Sequence, residues 1–144
     1  MRILVLNGVN LNMLGRREPA VYGSLTIAEL ESRIYEWARE LELTVQCRQT
    51  DSESEFVKWC HDAYDNTDGM VVNPAAWTHY AWSIHDALEP LTIPVVEVHL
   101  SNLHSRAESF RTLDVTAAAA VGVIQGLGPR GYLMAMEYLV DRDE

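Results

Sequence analysis

Two hydrophobic periods alternate along the chain from end to end. Short apolar runs predict buried strands, and apolar residues three and four apart predict amphipathic helices. Arg2 to Leu6 reads as the first strand. Thr26 to Leu41 reads as a helix, with Ile27, Leu30, Ile34, Trp37 and Ala38 on one face and Thr26 with Glu29 as a capping box. Thr44 to Arg48 is a second strand, and Ser52 with Glu55 opens a second helix that runs to about Asp65. Gly69 to Val72 is a third strand and Trp77 to Leu88 a third helix. Pro94 to Val98 is a fourth strand, followed by a short polar helix around Arg106 to Arg111. Ala118 to Ile124 is a fifth strand and Pro129 to Asp141 a last helix.

Five such strand–helix units predict an α/β fold, a doubly wound five-stranded parallel sheet with helices on both faces. The expected strand order is flavodoxin-like, a three-layer sandwich, and residues 1–144 read as a single catalytic domain. The one long irregular stretch, Asn7 to Ser24, is long enough to expect function of it. It carries Arg16, Arg17, Glu18, Pro19 and Tyr22, with Gly15 and Gly23 near its ends as hinges.

Composition narrows the picture. Hydrophobic residues make up 48% of the chain, enough for a core without disulfides or metal. No apolar run is long enough to span a bilayer, and the start, MRILVLNG, lacks the features of a signal peptide. The two cysteines, Cys47 and Cys60, are not spaced as metal ligands or as a disulfide framework, and suit a reducing cytoplasm. A net charge of −10 argues against nucleic acid as partner. Ten of the eleven basic residues are arginine, which grips carboxylates with paired bonds, and Lys58 is the only lysine.

Ligands of such sheets bind beyond the carboxyl ends of the strands. Asn7, Asn10 and Asn12 follow the first strand; Asn73, Thr78 and His79 follow the third; Glu97, His99, Ser101 and Asn102 lie at the end of the fourth. Glu97 and His99 share one face of their strand, which suits a proton-transferring histidine held by a carboxylate, and equally a structural ion pair. Tyr22, beside Arg16 and Arg17, fits a phenolate base favoured by guanidinium charge; composition alone favours a plain loop tyrosine. Gly126, Gly128 and Gly131 form GxGxxG between a strand and a helix, but no room remains for the acid that would hold a ribose, so a tight turn with close helix packing is expected.

These residues carry a family resemblance. LVLNGVNLNMLGRREPAVYGSLT closely resembles the N-terminal signature of type II 3-dehydroquinate dehydratase. NPAAWTHYAWSIHDAL, VEVHLSNLHSRAESFR and the C-terminal GVIQGLGPRGYLMAMEYL are similar to later segments of that family, in order and over essentially the whole chain. The resemblance implies conversion of 3-dehydroquinate to 3-dehydroshikimate without cofactor or metal, in a homo-oligomer, a dodecamer built from trimers. It implies that Tyr22 takes a proton from the carbon beside the substrate's ketone, with Arg17 holding the tyrosine's charge and Arg106 assisting. Asn10 would hold a water on the enolate, and His99, oriented by Glu97, would protonate the departing hydroxyl. Asn73 and the N–H groups of Leu100 and Ser101 would bind hydroxyl and carboxylate, His79 and Arg111 the ring hydroxyls, and Asp86 would arrive from a neighbouring subunit. The chain departs from the family pattern at Val9, where proline is common, at His85, where arginine is common, and at Ala75, Ala76 and Trp77.

The fold by itself also suits a flavin- or nucleotide-binding protein, or a phospho-acceptor receiver domain. The first of these lacks its Ser/Thr-rich phosphate loop here, and the second its acidic cluster. A lysine-imine route to the same dehydration would need Lys58, which sits mid-helix among Glu55, Phe56 and Trp59 with no polar company.

Overall fold

The run Ile3-Leu4-Val5-Leu6 has no polar face to offer water, and it forms an inner strand of the sheet. In the computed structural model, residues 1–16, 20 and 23–142 are described. Strand β1 (Arg2–Asn7) sends Ile3 and Val5 into one apolar core and Leu4 and Leu6 into another, as period-two alternation requires. With β2 (Thr44–Gln49), β3 (Gly69–Asn73), β4 (Val95–His99) and β5 (Gly122–Gln125) it forms a parallel sheet in the order β2-β1-β3-β4-β5. The order reverses direction between β1 and β3, which sets the switch point at their carboxyl ends.

Helices α1 (Ile27–Glu40) and α4 (Arg130–Asp141) cover one face through Leu30, Ile34, Tyr132, Met136 and Leu139. Helices α2 (Glu53–Asn66) and α3 (Trp82–Leu88) cover the other through Phe56, Cys60, Ile84 and Leu88. Each fully buried aliphatic or aromatic side chain contributes about 1.5–3 kcal/mol relative to exposure. Inner strands β3 and β4 are buried throughout, whereas the edge strands β2 and β5 are partly exposed. The arrangement is the expected flavodoxin-like three-layer sandwich. Both anticipated caps form: Thr26 Oγ1 accepts from the Glu29 N–H, and Ser52 Oγ from that of Glu55.

Three elements differ from the sequence reading. Trp77 to Leu88 is not one helix. A 3-10 turn covers Ala75–His79, Tyr80 breaks it at φ −154°, and α3 starts at Trp82. Apolar Trp77, Ala81, Ile84 and Leu88 keep helical spacing across the break because all of them reach the same core. The break turns Thr78 and His79 inward and leaves Tyr80 and Trp82 exposed. The polar helix around Arg106 to Arg111 is two 3-10 turns, Leu103–Ser105 and Ser109–Thr112, the second with no buried residue to anchor a longer helix. The fifth strand starts late, because Asp114 Oδ1 accepts from the N–H groups of Thr116 and Ala117 and curls Ala117–Ala119 into a 3-10 turn.

GxGxxG behaves as a turn with close packing. Gly126 (φ +87°) lies against Asn102, and a Cβ at Gly131 would stand 3.1 Å from Val98 Cγ1.

Two backbone positions generate predictions. Ala75 adopts φ +55°, a left-handed conformation that costs an alanine about 1–2 kcal/mol. Ala75→Gly is therefore expected to raise the denaturation midpoint, by an amount approaching that cost after the glycine's greater unfolded-state entropy is subtracted. At Gly8 a Cβ would stand 2.6 Å from the Pro74 carbonyl oxygen, where backbone meets backbone. Gly8→Ala is expected to destabilise by about 1–3 kcal/mol in chemical denaturation.

Candidate active site

The connections leaving the carboxyl ends of β1, β3 and β4 enclose a cleft of about 220 Å³. Its walls hold Asn10, Asn73, His79, His99, Arg106 and Arg111, with no carboxylate among the described residues that line it. In a chain of net charge −10, this is a cationic recess suited to an anion. A wider groove of about 390 Å³ lies at the opposite end of the sheet, between β1, β2 and the C-terminal half of α2. Its lining lacks the histidines and strand-end amides that gather in the smaller cleft, so the chemistry is assigned to the latter.

Behind the cleft lies a buried polar network. Glu97 is 0% exposed, and its Oε2 stands 2.9 Å from His99 Nε2. That contact leaves Nδ1 as the ring nitrogen for a ligand. Thr78 Oγ1 donates toward Glu97 Oε2 at 3.2 Å, and Thr116 Oγ1 bonds Glu97 Oε1. Asp114 Oδ1 receives the same two hydroxyls at 2.7 and 3.0 Å. Burial pushes the Glu97 carboxyl above its ordinary range; His99 opposes the shift and Asp114 adds to it. Ligand atoms of Glu97, His99 and Asp114 lie within 4.8 Å of one another. Both Glu97 oxygens are already hydrogen-bonded, so the group is arranged to hold a proton rather than to cage an ion.

His79 is fixed by a 2.6 Å contact from Nδ1 to the Leu113 carbonyl oxygen, so Nδ1 carries the hydrogen and Nε2 is an acceptor. Burial pushes its pKa down, and nearby Arg111 and His99 add to this, so the ring is neutral near pH ~7. Its Nε2 is buried without a hydrogen-bond partner, as is Arg111 Nε. His79 Nε2 is thus open to a ligand, and Arg111 Nε has, among the described residues, only the longer ion-pair contact of 3.7 Å with Glu108 Oε2. Phe110 keeps the two together: its ring meets His79 edge-on, centroids 5.3 Å apart, and the Arg111 guanidinium sits 4.6 Å from its centroid.

Beneath the cleft, and reaching it through Asn73, runs a buried amide–phenol chain. Tyr132 donates to Asn7 Oδ1 at 2.6 Å and accepts from Asn73 Nδ2 at 2.9 Å, while Asn73 Oδ1 accepts from the Ala75 N–H. Burial pushes the Tyr132 hydroxyl well above the ordinary phenol range, so this tyrosine serves as a fixed donor and not as a base. On the rim, Asn10 adopts φ +67°, tolerable for asparagine, and its N–H donates to Asp51 Oδ1 at 2.8 Å.

Of the residues singled out from sequence, Asn10, Asn73, His79, His99, Leu100, Ser101, Arg106 and Arg111 line this one cleft, and Glu97 lies behind it. The β4 ladder ends at His99, which places Leu100 and Ser101 past its last rung. Asp86 is exposed on α3, pairs with His85 at 2.9 Å, and does not line the cleft. Tyr22 and Arg17 lie outside the described residues. Lys58 is exposed on α2, away from the cleft, and burial pushes the Cys60 thiol up to about 12, which makes it a poor nucleophile. The sequence reading passed over Thr116, Asp114, Tyr132 and Asp51. Their only sequence signal is polarity next to apolar stretches, which does not distinguish them from turn residues.

The dehydroquinase class II family model matches residues 1–140. The chain is similar to the 3-dehydroquinate dehydratase of Deinococcus radiodurans, with 49% identity over 96% of this chain and 97% of that one. It is similar to the 3-dehydroquinate dehydratase of Salinispora tropica, with 50% identity over 99% of both chains. Its fold matches the crystal structure of type II dehydroquinase from Propionibacterium acnes, with TM-score 0.93 and 50% identity over 96% of this chain and 95% of that one. The sheet order, the cleft at its switch point and these full-length similarities agree: the chain belongs to the dehydroquinase class II family and is an enzyme of the hydro-lyase class.

Proposed function

We propose that this chain, acting as a single catalytic domain, removes water from 3-dehydroquinate to give 3-dehydroshikimate through an enolate. One observation carries the reading: the buried Glu97–His99 couple opens onto a cleft whose described lining holds Arg106 and Arg111 beside Asn73, His79 and Ser101. The substrate is a polyhydroxylated carboxylate, and such a recess would receive it. The relatives named 3-dehydroquinate dehydratase, alike over nearly their whole length, support the substrate class.

In this reading the Tyr22 phenolate takes a proton from the carbon beside the ketone, its charge held by Arg17 and assisted by Arg106. The released electron pair moves onto the carbonyl oxygen, and a water held by Asn10 stabilises the enolate. When the enolate collapses, the neighbouring C–O bond breaks and His99, oriented by Glu97, gives a proton to the departing oxygen. One water leaves; Tyr22 then gives up the proton it took and the His99–Glu97 couple regains one, by way of solvent, which restores both groups. Asn73 with the N–H groups of Leu100 and Ser101 holds the leaving hydroxyl and the carboxylate. His79, an acceptor at Nε2, and Arg111 take the ring hydroxyls, which would satisfy His79 Nε2 and Arg111 Nε, two of the buried polar atoms without a hydrogen bond among the described residues.

Asp86 reaches the site of a neighbouring subunit in a dodecamer of trimers. In support, Asp86 is exposed on α3, which opens with Trp82, 59% exposed, just after Tyr80, 60% exposed. The work is done in the cytoplasm, in the shikimate pathway or in quinate breakdown, and the route uses neither metal nor organic cofactor.

Adding 3-dehydroquinate to metal-stripped protein is expected to produce the ultraviolet absorbance of a conjugated enone; none appearing would overturn the reading. Tyr22→Phe and His99→Ala are each expected to lower turnover by about 10²–10⁴-fold with the fold intact by circular dichroism. Near-normal rates in both would show that the roles are misassigned. Lys58→Ala is expected to turn over normally, with borohydride trapping no substrate on the protein; a trapped adduct would mean an imine route.

A further inference from the structure

Asp114 has no part in the steps above, yet it is built into the network behind the proposed acid. Its Oδ1 receives Thr78 Oγ1 at 2.7 Å, Thr116 Oγ1 at 3.0 Å, and the N–H groups of Thr116 and Ala117 at 3.1 and 2.9 Å. The same two hydroxyls bond Glu97, and their oxygens lie 2.5 Å apart. Two threonine hydroxyls supply two hydrogens, and neither can donate to both carboxyl groups at once. With both carboxyls ionised, the five oxygen–oxygen contacts of this cluster are short of hydrogens. One more proton, held on the Glu97 side, relieves the shortage, and two carboxyls this closely linked do not readily ionise together.

We propose that Asp114 is a positioning residue for the reaction: its carboxylate, linked to Glu97 through the Thr78 and Thr116 hydroxyls, keeps the proton on the Glu97–His99 couple at neutral pH. The proposal rests on the reading of that couple as the general acid. The charge distribution agrees with it. Burial drives the Asp114 carboxyl up, but its hydrogen bonds with Glu97, Thr78, the Ala117 N–H and Thr116 outweigh burial and hold it below the ordinary range. Negative charge therefore rests on Asp114 and raises the proton affinity of the couple as a unit. The other charged or titratable groups facing the couple among the described residues are His79 from the Ala75–His79 turn, Arg111 from the Ser109–Thr112 turn, and Arg106. His79 is neutral and the arginines are cationic, so they weaken the hold on that proton and Asp114 opposes them.

Asp114→Asn tests this on the full-length enzyme, because the amide keeps Oδ1 as acceptor for the Thr116 and Ala117 N–H groups while removing the charge. The high-pH limb of kcat is expected to move down by about one pH unit, with KM on the plateau within about twofold of the parent. Asp114→Glu should return the limb toward its original position. The His99 ring resonance, followed by NMR without substrate, should titrate at correspondingly lower pH in Asp114→Asn. A limb and a His99 titration that do not move, or an equal loss of rate at every pH, would overturn the proposal. His99→Ala separates the two ideas. If that variant turns over normally, the acid assignment fails, and the NMR titration alone then decides whether Asp114 holds the couple's proton.

Discussion

Glu97 sits where no water reaches it, in the middle of an apolar sheet. A carboxyl so placed is tolerable only if each oxygen finds a partner, since an unpaired buried polar group costs about 1–3 kcal/mol and an unpaired charge more. The partners come from three separate segments: His99 from the same strand, Thr78 from the connection after β3, and Thr116 from the connection after β4. Satisfying one carboxyl thus ties the third and fourth crossovers together over the ends of the strands. The two places where regular helix or strand gives way to 3-10 turns, around Ala75–His79 and Ala117–Ala119, are those that deliver these hydroxyls.

The cleft inherits its character from that constraint. His99 is held on one ring nitrogen from behind, and its other nitrogen is left for a ligand. His79 is held the same way by a backbone carbonyl. Below them Tyr132, fully buried, orients Asn7 and Asn73. His99, His79 and Asn73 therefore each have one end fixed by the fold, which limits the reorganisation needed when charge develops in a reaction. An otherwise acidic surface makes the arginines at the mouth more selective for a small anion than for a polyanion such as nucleic acid.

Much of the placement of the candidate site is legible in the sequence. Glu97 and His99 two apart on a strand must share a face, and the asparagines following β1 and β3 must lie at one end of a parallel sheet. Asp114 was not legible in this way. It lies 17 positions beyond Glu97 and meets the network through side chains that its place in the sequence does not reveal, Thr78, Thr116 and Glu97. The helix read across Trp77 to Leu88 failed for a related reason: a 3-10 turn and a helix that face the same core produce one continuous apolar stripe.

The amino-acid sequence by itself determined the alternation of strands and helices, the parallel sheet, the caps at Thr26 and Ser52, and the family to which the chain belongs. Those features depend on periodicity and on contacts a few residues apart, which a linear pattern records directly. The tertiary structure alone decided which polar side chains meet behind the cleft, which ring nitrogen of each histidine is occupied, and where negative charge settles between Glu97 and Asp114. These depend on distances of a few ångströms between segments remote in the chain, and on burial, which sets the cost of each charge only once the surrounding atoms are in place.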